Sequence, residues 1–408
     1  MHFSLRVART KVRKPPRFVA GPPIRVLFVN DHLGYEGGCI HGATTYFLTT
    51  LTSFDRRTVE PRLCILRAWH PAAEQFEAKG VSPIFLNRAK WDPRALFDLI
   101  RVIRDHGVDV LHLSGMKGAL LGAAAARLTA RPALVHLHDM HPLKPGLRVL
   151  QRRASRRMAR TIVVSEPVRE FAVKEYGVAH DRIEVLPNGI RLDSIGKASG
   201  AARRRVRTEL GLNDATPVVG LTARLCPEKG HDYIIRALPA LRARCPDAVL
   251  LIAGDGPARA DCESLVRNLG LGDAVRFLGH RRDVPDLLAA MDAVVVPSVC
   301  EEGFGYSALE GIAAGRPVVA FVSEGLRQIV LDGITGFLVP KGDIGRLAAS
   351  LADVLTNDDL ARRLGEGGRR HTQAFSIERH VRRLERLYAQ AMAGSERAYR
   401  LEAVVARR

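Results

Sequence analysis

Short, continuously apolar runs recur along this chain in two blocks, each run followed by a stretch with helical spacing. The first block has them at 24–29, 61–66, 82–86, 108–113, 133–137, 161–164 and 183–186. The second has them at 217–221, 248–253, 275–278, 293–296, 317–321 and 336–339. Runs this short, apolar at every position, predict strands buried on both faces, and their alternation with helices predicts parallel sheets with helices on either side. Between the blocks, 191–216 is poor in hydrophobic residues and rich in Ser, Gly, Ala and Arg, which reads as a linker. The expected fold class is therefore α/β, with two doubly wound, Rossmann-like domains. Such sheets hold ligands beyond the carboxyl ends of their strands, here across a shared cleft.

Composition narrows the possibilities. At 408 residues and 47% hydrophobic, the chain supports two sizeable cores and is not a disordered protein. Its six cysteines include no C-x-x-C pair, which predicts reduced thiols in a cytoplasmic protein and no zinc site. The longest apolar stretch, 119–137, is broken by Arg127 and Arg131, so no membrane-spanning helix is expected. The first 22 residues are basic and lack the apolar core of a secretory signal; they read as a flexible arm. The net charge of +19 is concentrated in residues 1–190, where 30 Lys and Arg face 16 Asp and Glu. That asymmetry points to an anionic partner, membrane surface or nucleic acid.

The stretch Glu302-Gly-Phe-Gly-Tyr-Ser-Ala-Leu-Glu310 places two carboxylates seven residues apart around a glycine turn, between a strand and a helix that stops at Gly315. Backbone N–H groups at such a helix start hold anions, and carboxylates accept from hydroxyl-rich ligands. With Pro297-Ser before it and the run 313–320 after it, this stretch resembles the E-x7-E signature of retaining glycosyltransferases of the GT-B fold, family 4 (group 1). The resemblance implies that Glu302 faces the donor sugar, that Glu310 holds the ribose, and that Gly303, Phe304 and Gly305 line the donor. Arg224 and Lys229, in Thr222-Ala-Arg-Leu-Cys-Pro-Glu-Lys-Gly230, match the family's R-x-x-x-x-K-G motif. Two fixed cations at a strand-to-helix turn suit a diphosphate; the resemblance assigns them the charge on the departing nucleoside diphosphate.

Further likenesses are less specific. Gly254 and Gly256 sit in a strand-end G-x-G-P turn that lies beside the nucleotide base in the family. Gly37 and Gly38 resemble its double-glycine loop, although Cys39-Ile-His-Gly-Ala follows them here. Val135-His-Leu-His-Asp139 resembles the strand-end H-D whose His, here His138, meets the sugar near its reacting carbon, with Asp139 a helper. His136, His138 and His141 could instead bind metal or be structural, and their spacing is not that of a helical zinc motif. Arg327-Gln328-Ile329 stands where relatives often have Pro-Glu-Ile, so the role of that Glu does not transfer.

Together these imply transfer of a hexose from a nucleotide diphosphate sugar to a hydroxyl acceptor with retention, in glycan, glycolipid or polysaccharide synthesis, with no metal or other cofactor. A sugar-nucleotide epimerase on the same fold and a basic nucleic-acid-binding protein are the alternatives. Nucleic acid is not the expected partner, because the basic residues are not interleaved with aromatics. The domains expected are the arm at 1–22, an acceptor-side domain at 23–190, a donor domain at 191–375, and a C-terminal helix and tail at 376–408. In that helix Leu384, Leu387, Tyr388 and Met392 share a face, and the resemblance implies that it crosses back to the first domain. At 147–160, a stripe of Leu147, Leu150, Ala154 and Met158 lies among six arginines. Arg152, Arg153, Arg156 and Arg157 form a candidate surface for anionic lipid, which would bring the enzyme peripherally to the inner face of the plasma membrane and to a lipid-linked acceptor.

Overall fold

The computed structural model describes residues 22–34, 42–196 and 200–405. All thirteen apolar runs form strands. The first sheet comprises β1 (Ile24–Asn30), β2 (Val59–Ile65), β3 (Ile84–Phe85), β4 (Val110–Ser114), β5 (Ala133–Leu137), β6 (Arg160–Val163) and β7 (Ile183–Val185). Its spatial order is β3-β2-β1-β4-β5-β6-β7. The second comprises β8 (Val218–Thr222), β9 (Val249–Ala253), β10 (Val275–Gly279), β11 (Ala293–Val296), β12 (Val318–Phe321) and β13 (Gly336–Val339), in the order β10-β9-β8-β11-β12-β13. Every pairing within both sheets is parallel.

Side chains that alternate along a strand enter different cores. Val26 and Phe28 join one cluster while Leu27 and Val29 join another. Likewise Val294 and Val296 face one side of the second sheet and Val295 the other. With both faces covered by helices, each strand must be apolar at every position, which is the physical origin of the continuous runs.

The helix Ile377–Val405 leaves the second half of the chain and packs on the first. Ile377, Val381, Leu384, Leu387 and Tyr388 share a core with Phe28, Phe47 and Phe54. Tyr388 places its hydroxyl 2.8 Å from Nδ1 of His112, inside the first sheet. The two halves are therefore joined by a packed, hydrogen-bonded helix as well as by the chain between β7 and β8.

That intervening chain differs from the linker expected at 191–216. Helices Leu192–Gly196 and Gly200–Glu209 form there, and the second packs on the helix Val284–Ala290. Its anchor is polar. The Arg207 side chain, 1% exposed, ion-pairs with Asp292 at 2.8 Å. It also donates to the carbonyls of Ala290, Asn213 and Thr216. Asp292 in turn accepts from the Val218 amide at the start of β8 and from Arg203. Hydrophobic patterning does not register an anchor built from arginine and carbonyl groups.

Leu384 is fully buried at the joint between the halves. Leu384→Ala is expected to cost about 2–5 kcal/mol of stability through lost burial and a residual cavity, measured by urea unfolding.

Candidate active site

Where the strand order of a doubly wound sheet reverses, the loops leave to opposite sides and open a crevice. In the second sheet that point lies between β8 and β11. Lys229, reached from β8, and Glu302, reached from β11, meet there with Nζ 2.6 Å from Oε1. Ser298 donates to the same carboxylate oxygen at 2.6 Å. Burial opposes the charge of Lys229, but the adjacent Glu302 carboxylate outweighs it and holds the ammonium above its ordinary pKa. Arg224 stands on the same β8 loop, its guanidinium 2.7 Å from Glu228. The structure thus brings three of the sequence-predicted residues, Arg224, Lys229 and Glu302, to one crevice. It adds Ser298, whose only sequence signal was its place beside Pro297 before the carboxylate motif.

Glu310 lies on the helix Tyr306–Ala313, which Gly305 caps. Dense packing around its carboxyl raises its pKa to about 7 by desolvation, although part of the residue reaches solvent. Beside it, Tyr306 is pushed well above the usual phenol range, first by burial and then by Tyr46 and Glu310. Phe304 differs from expectation: its ring is buried edge-on against Tyr306 and Phe375, so it anchors the loop in the core and does not line the donor. Gly303 is where the two halves touch. A Cβ there would lie 2.6 Å from the backbone oxygen of His138, so only glycine lets the carboxylate loop close on the end of β5. Sequence reading also missed Gly325, whose backbone packs so tightly on Glu302 that a Cβ would fall 1.9 Å from its carbonyl oxygen.

His138 stacks on His136 with ring centroids 4.1 Å apart and tilts against Tyr46 at 4.5 Å. Behind it, His112 reaches Nδ1 of His136 at 3.2 Å, and His380, from the C-terminal helix, reaches the Tyr46 hydroxyl at 3.3 Å. Burial, with mutual repulsion, drives His112 and His136 well below the ordinary imidazole pKa, and burial lowers His380 to about 4. These three imidazoles are neutral supports for the loop that carries His138. Asp139 turns away to pair with His141 at 3.2 Å. Among the described residues no three His, Cys, Asp or Glu side chains converge to hold a metal ion.

Gly254 and Gly256 follow β9 with φ of +145° and +157°. Cβ atoms there would fall 1.9 Å from the Ala223 carbonyl oxygen and 2.3 Å from that of Leu225. Packing against the loop that carries Arg224 accounts for both glycines. Gly37 and Gly38 lie outside the described residues. On the basic helix, which spans Pro145–Ser155, Arg152 donates to the backbone carbonyls of Glu175 and Lys174. Its guanidinium is committed to the protein and drops out of the expected lipid surface, leaving Arg153, Arg156 and Arg157 exposed. Leu150 is not part of a buried stripe either; it is exposed beside Val149, while Ala154 and Met158 are buried.

Two family models cover most of this architecture. "Glycosyltransferase Family 4" matches residues 40–194 and "Glycosyl transferases group 1" matches 202–371. The 2-deoxystreptamine glucosyltransferase of Streptomyces kanamyceticus is 33% identical over 302 residues, 69% of this chain and 76% of that protein. The chain belongs to the group 1 glycosyltransferases. Another relative is the GDP-mannose-dependent alpha-(1-6)-phosphatidylinositol monomannoside mannosyltransferase of Mycolicibacterium smegmatis, 32% identical over 68% of this chain and 75% of that protein. Among solved structures, Alr3699/HepE of Anabaena in complex with UDP-glucose superposes with a TM-score of 0.77 at 24% identity, over 91% of this chain and 100% of that one. That likeness establishes the two-domain GT-B fold. As a group 1 glycosyltransferase the protein moves a sugar from a nucleotide-sugar donor.

The raised pKa of Glu310 predicts a pH signature. The unfolded carboxyl ionises near 4.5 and the folded one near 7. Its contribution to stability is therefore full below 4.5, falls as pH rises to 7, and is flat above. Glu310→Gln, which cannot ionise, should gain stability over wild type across that window, by at most about 1.4 kcal/mol per pH unit, read from melting temperatures at pH 4.5, 6 and 8.

Proposed function

We propose that the protein transfers a hexose from a nucleoside diphosphate donor to an acceptor hydroxyl with retention at the anomeric carbon. The observation that carries this reading is the Lys229–Glu302–Ser298 constellation at the second sheet's switch point, pressed through Gly303 onto the end of β5. Arg224 and Lys229 would hold the diphosphate, and Glu310 the ribose hydroxyls. One oxygen of Glu302 already accepts from both Lys229 and Ser298, which quiets it as a nucleophile and leaves the other for a sugar hydroxyl. With no free carboxylate nucleophile in this reading, the C1–oxygen bond to the diphosphate breaks while the acceptor oxygen closes on the same face. The acceptor proton passes to the departing diphosphate oxygen. Cations fixed beside that oxygen before it gains charge lower the barrier without reorganisation.

The acceptor side draws support from relatives. One acts on a phosphatidylinositol mannoside and another, from Escherichia coli, on a diphosphoundecaprenol-linked sugar. A lipid-linked acceptor fits the exposed Arg153, Arg156 and Arg157 beside exposed Val149 and Leu150, since each cation near an anionic bilayer contributes about 1 kcal/mol. No described helix is long and apolar enough to cross a membrane, so the contact proposed is peripheral.

Three measurements test these roles. Arg224→Ala should raise the barrier by about 2–4 kcal/mol, seen as a fall in kcat for transfer or donor hydrolysis with the fold intact; near-normal turnover would remove the diphosphate role. In calorimetric titration with UDP and GDP, Glu310→Gln should weaken binding while Glu302→Gln leaves it nearly unchanged. Equal losses would merge the two roles. Replacing Arg153, Arg156 and Arg157 by Gln should abolish sedimentation with anionic liposomes at low salt, and wild-type protein that fails to sediment would point to a soluble acceptor.

A further inference from the structure

The first sheet has a switch point of its own, between β1 and β4, and it carries a second lysine–carboxylate pair. Asp31 follows β1, and Lys117 lies in the first turn of the helix Gly115–Thr129 after β4. Lys117 Nζ is 3.0 Å from Asp31 Oδ1, and the lysine side chain is only 5% exposed. Arg67, just past β2, forks onto the same carboxylate at 3.2 and 3.0 Å. Over the ammonium sits the indole of Trp91, its ring centroid 5.5 Å away. Leu66, Pro93, Leu120 and Leu121 complete, with Trp91 and Lys117, the wall of a cavity of about 100 Å³.

This arrangement is costly for a structural element. Burying an ammonium against a carboxylate seldom adds net stability, and desolvation lowers the Lys117 pKa even with Asp31 beside it. Trp91 is 58% exposed, so its indole is not serving a core. A polar floor of fixed donors and acceptor under one flat aromatic wall matches a ring with hydroxyls at its edge and C–H bonds on its face. The location fits as well. β1, β4 and β5 are neighbours, so the pair lies two strand spacings, about 10 Å, from the β5 end that meets Gly303.

We propose that Asp31, Lys117 and Trp91 form the acceptor subsite, which takes a hydroxylated six-membered ring, sugar or cyclitol, stacked on Trp91. This rests on the transferase reading above. Two cations share one carboxylate at the floor, so the ring is bound whether neutral or phosphorylated, and the experiment separates the two forms.

The chain has only two tryptophans, and Trp69→Phe leaves Trp91 as the sole reporter. In that protein, fluorescence is titrated with methyl α-glucopyranoside, methyl α-mannopyranoside, myo-inositol and myo-inositol 1-phosphate, with glycerol and inorganic phosphate as open-chain and ring-free controls. A saturable change in Trp91 emission with at least one ring and neither control is expected. Its midpoint should rise about tenfold in Asp31→Asn and in Lys117→Gln, the loss of one good polar contact. Either variant suffices if the other fails to fold. Silence with all four rings, an equal response to glycerol or phosphate, or midpoints unmoved in the folded variants overturns the proposal. UDP titration of the same protein keeps the tests apart: UDP binding without a ring response removes this subsite alone, whereas absence of UDP binding removes the donor assignment.

Discussion

A parallel strand cannot reach its neighbour through a tight turn; the chain must cross over the sheet, and in this protein it does so by helices on both faces. Much else follows from that restriction. It buries every strand on two sides, so the strands are apolar throughout. It sends every loop at one end of the sheet into the helix start that follows it. At the single place in each sheet where the order reverses, it also parts two loops and leaves room for charged side chains. The chemistry of this molecule is gathered at those two reversals.

What fills them is alike in kind. Each holds a lysine from one loop and a carboxylate from the other, Lys229 with Glu302 and Lys117 with Asp31. Both lysines pass through low-dielectric surroundings that oppose their charge, and both are sustained by the partner carboxylate. The surroundings differ. The second-domain pair has a serine hydroxyl and neighbouring Arg224, suited to phosphates, while the first-domain pair has an indole and aliphatic wall, suited to a ring face. Gly303 against His138 brings the two crevices into one cleft.

The cleft also depends on a helix that belongs by sequence to one half and by packing to the other. Tyr388 and His380 on the helix Ile377–Val405 reach the imidazoles of His112 and, through Tyr46, the neighbourhood of His138. Neutral imidazoles suit this buried position because each can accept and donate without bringing a charge into the core. The sugar-side histidine is thus braced by both halves of the chain.

The sequence alone determined the strands, their parallel pairing in two sheets, and the loop residues Arg224, Lys229, Glu302 and Glu310, because those features are local. An apolar run records burial on both faces, and a carboxylate spacing records a loop and the helix after it. What it could not convey were contacts between distant segments. Phe304 reads as part of a ligand loop and is a core residue, since its side-chain direction depends on Phe375. Residues 191–216 read as a linker because Arg207 satisfies carbonyls and Asp292 where hydrophobic residues would usually pack. Arg152 reads as a free cation until the Lys174 and Glu175 carbonyls come beside it. The pairing of Asp31 with Lys117, 86 residues apart, left no trace in the pattern of either segment. Tertiary structure decided those partners, because an ion pair or a buried ring depends on what the folded chain places within a few ångströms, and sequence spacing carries that information only within a single element.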